Sequence, residues 1–433
     1  MDRKTVRIND NIRLLSVNTN KFKTAALRIS VCLPLTKRNY ILSRLLCGMM
    51  GRGTRKYPSL ELINKRLDDL YASCVSINST VLENLIVLNI SADLLDNRFV
   101  PDGTDILGEV LDVISEMIFR PALADGLFPE DKLKHEKQLL KDSFLAKIND
   151  PRTYAALRSE ELRRRSDENF ASLEYVIKTV ETVSAEELTS YYRDVLTYAP
   201  LRITYVGSES AEKISAKLLE VFGSLSCQKK AMFTPIDTFQ RQTVREDEDM
   251  HINQSRLVIG LCPAREIDKA TANALSVMNA ILGGTPSSKL FLNVREKLGL
   301  CYSCGSSFST TTRYLKISAG ISAANRQVTE SEILRQLDEI KKGNITDAEL
   351  LAARKSIEFT FDQTYDSPFG IISFYSAKEH IEDLEAPEER KASLLSVTKE
   401  DIVAASRLLS LDSCYFLRGD LLSDGETEVD GDE

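Results

Sequence analysis

Histidine is scarce. The chain of 433 residues has only three, His135, His251 and His380. No two lie within helical or hairpin reach of each other in sequence, which removes the local pair on which helix-borne zinc sites are built. A basic excess is also missing: 56 Lys and Arg stand against 64 Asp and Glu, a formal net charge of −8. Nothing therefore points to nucleic acid. Residues 421–433 hold six acids and no base, so the body of the chain carries only −2 of that −8. The acidic end reads as a disordered tail. The run Glu161-Leu-Arg-Arg-Arg165 reads as a solvated helix face. No uncharged apolar run of about 18 residues occurs, so no membrane span is expected. The N-terminus has no apolar leader, and Asp2 and Asp10 argue against a mitochondrial presequence; a cytoplasmic location is expected. The eight cysteines are scattered and read as small core residues in a reducing compartment. Cys301-x-x-Cys304 has no second pair. It lies in a strand-like segment, where residues three apart face opposite sides.

What is present is a repeat. Ala25-Ala-Leu-Arg-Ile-Ser-Val-Cys-Leu-Pro34 resembles Ser255-Arg-Leu-Val-Ile-Gly-Leu-Cys-Pro263, each an alternating apolar strand ending at a turn. An apolar helix follows in both halves, through Ile41, Leu45 and Met49 to Gly51, and through Leu275, Met278 and Ile281 to Gly283. Downstream, Asn84–Ser91 matches Tyr314–Gly320, and the helix from Asp105 matches Glu332–Ile340. Caps at Ser184 and Thr398 open late helices that lead to strands ending at Gly207 and Gly419. The offset between halves falls from 230 at Cys32/Cys262 to 212 at Gly207/Gly419, which puts extra residues in the first half, within 145–180. The expected fold is α+β: two homologous domains, each a mostly antiparallel sheet with helices on one face. The first repeat spans 1–223, a linker 224–250 with exposed Arg245-Glu-Asp-Glu-Asp249, the second repeat 251–420, and the tail 421–433.

Two stretches are more specific: Gly51-Arg-Gly-Thr-Arg-Lys-Tyr-Pro-Ser59, and Leu282-Gly-Gly-Thr-Pro-Ser-Ser-Lys-Leu-Phe-Leu-Asn-Val-Arg-Glu-Lys-Leu-Gly-Leu-Cys-Tyr-Ser303. With Phe119-Arg-Pro-Ala-Leu and the Glu136-Lys-Gln-Leu-Leu helix, they resemble the insulinase-like family of zinc peptidases, which includes pitrilysin and the mitochondrial processing peptidase. The resemblance covers about residues 10–420. It implies a duplicated α/β fold, and in active members a His-x-x-Glu-His zinc motif on the first apolar helix, completed by a glutamate on a later helix.

Placing Arg52-Gly53-Thr54 on the family's Lys-Gly-Thr puts the first motif at Arg44-Leu-Leu-Cys-Gly48. Arg44 is a permanent cation, Gly48 has no side chain, and Cys47 stands where the general base belongs. Glu136 fits the first glutamate of the later helix, and the liganding one falls at Ser143. His135 reads as a solvated helix residue. No zinc site is expected in this chain. By contrast, Arg295 and Tyr302 match an Arg and Tyr that the resemblance implies bind the substrate backbone and steady an oxyanion. Gly283 and Gly284 fall where a glycine-rich loop of the non-catalytic processing-peptidase subunit contacts substrate; a helix end and tight turn is the other reading. The resemblance therefore implies a non-catalytic subunit without cofactor, with zinc in its partner only. That partner is an active insulinase-like subunit, or the chain is a homodimer; the substrate is a peptide or unfolded polypeptide. A purely structural or peptide-binding scaffold is one alternative, and a peptidase with atypical ligands another.

Overall fold

The computed structural model describes residues 1–198, 200–225, 228–236, 242–376 and 384–419. Cys227, His380 and the acidic tail lie outside them. The chain divides into two compact units. The fold is α+β and duplicated, as the repeat requires.

The first unit comprises Met1–Leu145, Glu168–Pro235 and Asp362–Glu385. Its strands are β1 (Asp2–Asn9), β2 (Ile12–Asn18), β3 (Thr24–Pro34), β4 (Cys74–Leu82), β5 (Leu85–Leu95) and β6 (Leu201–Gly207). They form one sheet in the order β1-β2-β6-β3-β5-β4. Only the β2–β6 pair is parallel; the other neighbours are antiparallel. Leu27, Ile29, Val31 and Leu33 of β3 face a core shared with helices Lys37–Gly51, Ile106–Phe119, Ala185–Val195 and Ala211–Phe222. The opposite face is also covered. Helix Pro368–Ser376 lays Ile371, Ile372 and Tyr375 on Leu15, Val17, Ala26 and Val206. Strands buried on both faces read as nearly continuous apolar runs, as β3 does.

The second unit comprises Ala146–Asp167, Ile236–Phe361 and Ala386–Glu433. Its strands are β7 (Val244–Met250), β8 (Ser255–Pro263), β9 (Cys301–Ser309), β10 (Tyr314–Ile321) and β11 (Leu409–Gly419). The order β7-β11-β8-β10-β9 repeats β2-β6-β3-β5-β4, again with one parallel pair, β7–β11. Leu257, Ile259 and Leu261 of β8 face the main core with helices Lys269–Asn279, Arg326–Lys341 and Lys399–Ser406. On the other face, helix Pro151–Arg163 packs Ala155 and Leu162 against Val258, Tyr415 and Leu417. The caps form as expected: Ser184 accepts from the Glu187 N–H, and Thr398 and Asp401 cap reciprocally.

Two expectations are corrected. Residues 244–250 are a strand, not an exposed linker. The acids on it are partnered: Glu246 pairs with Arg158, and Glu248 accepts from Tyr154 at 2.6 Å and Tyr415 at 2.8 Å. The arginine run is not solvated either. Arg163 and Arg164 are each 3% exposed and share Glu160, and Arg165 meets the buried Asp412 at 2.9 Å. Long arginine forks fit inside because carboxylates satisfy most of their donors; Arg163 Nη1 has no hydrogen-bond partner, and that guanidinium lies 5.7 Å from the Tyr314 ring centroid.

The cysteine expectation holds for Cys32, Cys47, Cys262, Cys301 and Cys414, which are buried; Cys74 is exposed. All seven described cysteines are free thiols. Among the described residues no helix is long and apolar enough to cross a membrane.

Candidate functional site

The positions that the resemblance assigns to a degenerate zinc motif lie on two helices of the first unit. Helix Lys37–Gly51 starts at Thr36, whose side chain accepts from the Asn39 N–H, and carries Arg44, Cys47 and Gly48. Helix Glu130–Ile148 carries Glu136 and Ser143. The connection after the first helix depends on Gly53. Its φ is +152°, and an added Cβ would lie 2.5 Å from the Pro58 carbonyl oxygen. Only glycine tolerates that approach.

The helices bring Gly48 and Glu136 together, but not as a metal site. A Cβ on Gly48 would overlap the Glu136 carboxylate, which already accepts from Arg52 Nε. The Glu136 side chain is 10% exposed, so this is a largely buried ion pair. Lys132 adds a hydrogen bond of 3.2 Å to the Pro58 carbonyl. Arg44 lies over the Tyr40 ring at 4.6 Å and the Phe144 ring at 5.7 Å. A guanidinium on two aromatic faces is held by their quadrupoles. Its Nε is buried without a hydrogen-bond partner. Cys47 is buried, and burial pushes its thiol up to about 12, so it is a protonated core residue at neutral pH. Ser143 is exposed and donates to the Leu140 carbonyl at 2.7 Å, apart from the others. His135 is exposed.

Zinc does not fit this donor set. Its single carboxylate is engaged by Arg52, its thiol is protonated, and a second guanidinium lies alongside. Among the described residues no group of three or more His, Cys, Asp or Glu side chains is placed to hold a metal ion. The Arg52–Glu136 pair was not foreseen. Its signal was the coincidence of a glycine at 48 with an arginine four residues on.

The second unit is arranged differently. Arg295 sits on a wide-turned helical segment, Leu290–Lys297, where the Leu298 N–H reaches back to the Asn293 carbonyl at 3.2 Å. Such π-type turns occur frequently at functional sites. The guanidinium lies 4.6 Å from the Phe291 ring centroid and 3.5 Å from Glu296, and stays 39% exposed. Gly299, at φ +59°, turns the chain into β9. Tyr302 follows in this edge strand and is 77% exposed.

Tyr302 also forms a β-bulge. Ile321 faces Cys301 and Gly320 faces Ser303, so Tyr302 is the extra residue. Bulges re-aim side chains and are common beside functional sites. This one overturns the expectation that Cys301 and Cys304 face apart: both pack against the core of the second unit. Interaction with Cys304 draws the Cys301 thiol below its usual range against the effect of burial, and the Arg295 charge adds to it. Interaction with Cys301, with burial, pushes Cys304 up. Arg295 is therefore within electrostatic reach of the strand that carries Tyr302.

Gly283 and Gly284 end the segment Ala280–Gly284. An added Cβ at Gly283 would lie 2.7 Å from the Ser306 backbone nitrogen, and one at Gly284 2.8 Å from Asn279 Nδ2. Both allow close packing; Gly283 lets β9 approach the helix.

Comparison with known proteins agrees with this fold. Residues 182–357 match the family model described as "Peptidase M16 inactive domain". A "Probable inactive metalloprotease YmfF" of Bacillus subtilis is 28% identical over 410 residues, covering 93% of this chain and 95% of that protein. An "Uncharacterized zinc protease YmxG" of the same organism is 27% identical over 255 residues, covering 57% of this chain and 59% of that one. The crystal structure of a conserved protein from Enterococcus faecalis superposes with a TM-score of 0.88 at 24% identity, over 98% of this chain and 100% of that one. The fold is that of peptidase-like proteins. The chain is similar to the M16 inactive-domain model over residues 182–357 and to a relative named inactive over most of its length.

Proposed function

We propose that this chain is the non-catalytic subunit of a zinc peptidase, acting in the cytoplasm beside a zinc-bearing M16 partner. One contrast carries the reading. The metal-binding positions of the first unit are filled by Arg44, Gly48 and an Arg52–Glu136 pair, while Arg295 and Tyr302 of the second stay exposed. A guanidinium and a phenol both donate to a developing oxyanion, so the pair suits transition-state stabilisation at a metal held by another chain. The exposure of Tyr302 also speaks against a packing role. A peptide would add as a further strand to β4, the edge of the first sheet, whose side chains alternate between exposed and half-buried. The free thiols suit a reducing compartment. In Bacillus subtilis a relative named inactive and a relative named a zinc protease occur together, which suits a paired arrangement.

The test is reconstitution. The pure chain should carry no stoichiometric zinc and cleave no unfolded peptide. Mixed with a His-x-x-Glu-His relative, it should restore chelator-sensitive cleavage. Cleavage by the pure chain refutes the reading. A complex that assembles yet cleaves equally well with Arg295→Ala favours the scaffold alternative.

A further inference from the structure

The outer face of the second sheet is only half covered. Helix Pro151–Arg163 packs on β11 and β8, which hold the apolar Val258, Tyr415 and Leu417. Beyond it, over β10 and β9, lies an open cleft of about 450 Å³. Register sets three cross-strand rows on this face: Arg256–Gly320–Ser303, Val258–Ser318–Gly305 and Gly260–Lys316–Ser307. Tyr314 covers Gly260 and the Arg256 side chain lies over Gly320, so Ser303, Gly305, Ser307 and Ser318 form the low floor and line it with hydroxyl donors. Arg152 stands at its wall, on the first turn of the helix.

Three cations thus border the cleft, and among the described residues none of Arg152, Arg256 and Lys316 forms an ion pair within 4.0 Å. Asp150 is the nearby acid, but it is engaged by the Arg152 N–H and the Thr153 hydroxyl. Arg256 Nε is buried without a hydrogen-bond partner, and burial together with the Arg152 charge draws this guanidinium's pKa down against the pull of Asp150. Two neighbouring guanidiniums with no ion pair within 4.0 Å and one acid between them leave capacity for a further anion.

The spacing indicates which anion. Arg256 faces Gly320, and Lys316 lies four residues along β10 from Gly320. At about 3.3 Å per residue that separates their backbones by about 13 Å. One compact phosphate does not span this distance, whereas an extended chain with carboxylates some four residues apart does. We infer that this cleft binds an acidic stretch of an extended polypeptide, with Arg256 and Arg152 taking one carboxylate and Lys316 another. The inference deepens the reading above by naming the substrate class, and it rests on that reading.

The experiment measures binding of the full chain to fluorescein-labelled extended peptides rich in Glu and Ser, with Gln and Lys counterparts of equal length. The acidic peptide should bind about tenfold tighter than the Gln peptide, the combined effect of a few exposed ion pairs. That margin should vanish at about 1 M salt, where screening shortens to about 3 Å. The double variant Arg256→Gln/Lys316→Gln should remove it and leave the Gln peptide unaffected. Arg256→Glu/Lys316→Glu should turn the preference toward the Lys peptide. Equal affinity for the acidic and Gln peptides overturns the inference while leaving peptide binding intact; no binding of any peptide overturns both. Displacement of the acidic peptide by inorganic phosphate at equal concentration also overturns it, in favour of a compact anion site.

Discussion

The two units are built on one topology but differ at matched places. In the first, the helix after the second-repeat-like strand β3 carries Arg44 and Gly48, and its surroundings close into an ion pair and an arginine–aromatic stack. In the second, the matching helix leads through two wide-turned segments to Arg295 and the bulged Tyr302, which stay open. The outer faces differ as well. Helix Pro368–Ser376 meets an apolar patch, whereas helix Pro151–Arg163 adds a network of Arg158, Tyr154, Glu246, Glu248 and Tyr415. Duplicated folds tolerate such divergence because strand order and core periodicity set the architecture. The polar positions remain free to be closed off in one copy and kept open in the other.

The largest stability effect is expected where the second unit buries charge. Asp412 accepts from Arg165 and Tyr314, each at 2.9 Å, and its side chain is fully buried. Asp412→Ala should cost about 3–5 kcal/mol in denaturant unfolding, because it strands Arg165. The apolar counterpart, Ile372→Ala, should cost about 3 kcal/mol. If Asp412→Ala costs no more than loss of an exposed ion pair, about 1 kcal/mol or less, the contrast between the two faces is wrong. Next comes Gly48→His, half of a restored motif. Its side chain would displace the Glu136 carboxylate, costing about 2 kcal/mol, and zinc content by elemental analysis should stay unchanged. Smallest is a pH effect. Burial raises Cys47 to about 12 and Cys32 to about 11 from an ordinary 9.0. The native state therefore holds protons that the unfolded chain releases between about 9 and 12. This contribution is complete below pH 9 and is lost as pH rises, so urea midpoints should fall from pH 8 to pH 10. Cys47→Ser should flatten part of that fall.

Much of the duplication was legible because its signals are local. The apolar alternation of β3 and β8 and the caps at Ser184 and Thr398 each need only a few neighbouring residues. What was missed depends on distant partners. Val244–Met250 looked like a linker because Arg158 and Tyr154, which satisfy its acids, come from about ninety residues earlier. The shared face of Cys301 and Cys304 follows from a bulge set by the register of β10. That Arg44 and Gly48 offer no metal donor could be read directly, but the Arg52–Glu136 pair beside Gly48 could not.

On the proposed function, one repeat gave up the metal and the other kept the oxyanion donors. Its most direct test is the turnover of a complex between this chain and an intact His-x-x-Glu-His relative, with this chain carrying Arg295→Ala or Tyr302→Phe. Assembly should be unchanged and kcat should fall about 100-fold for Arg295→Ala, as for loss of an oxyanion donor, with a smaller fall for Tyr302→Phe. Unchanged kcat in both variants would contradict the proposed function.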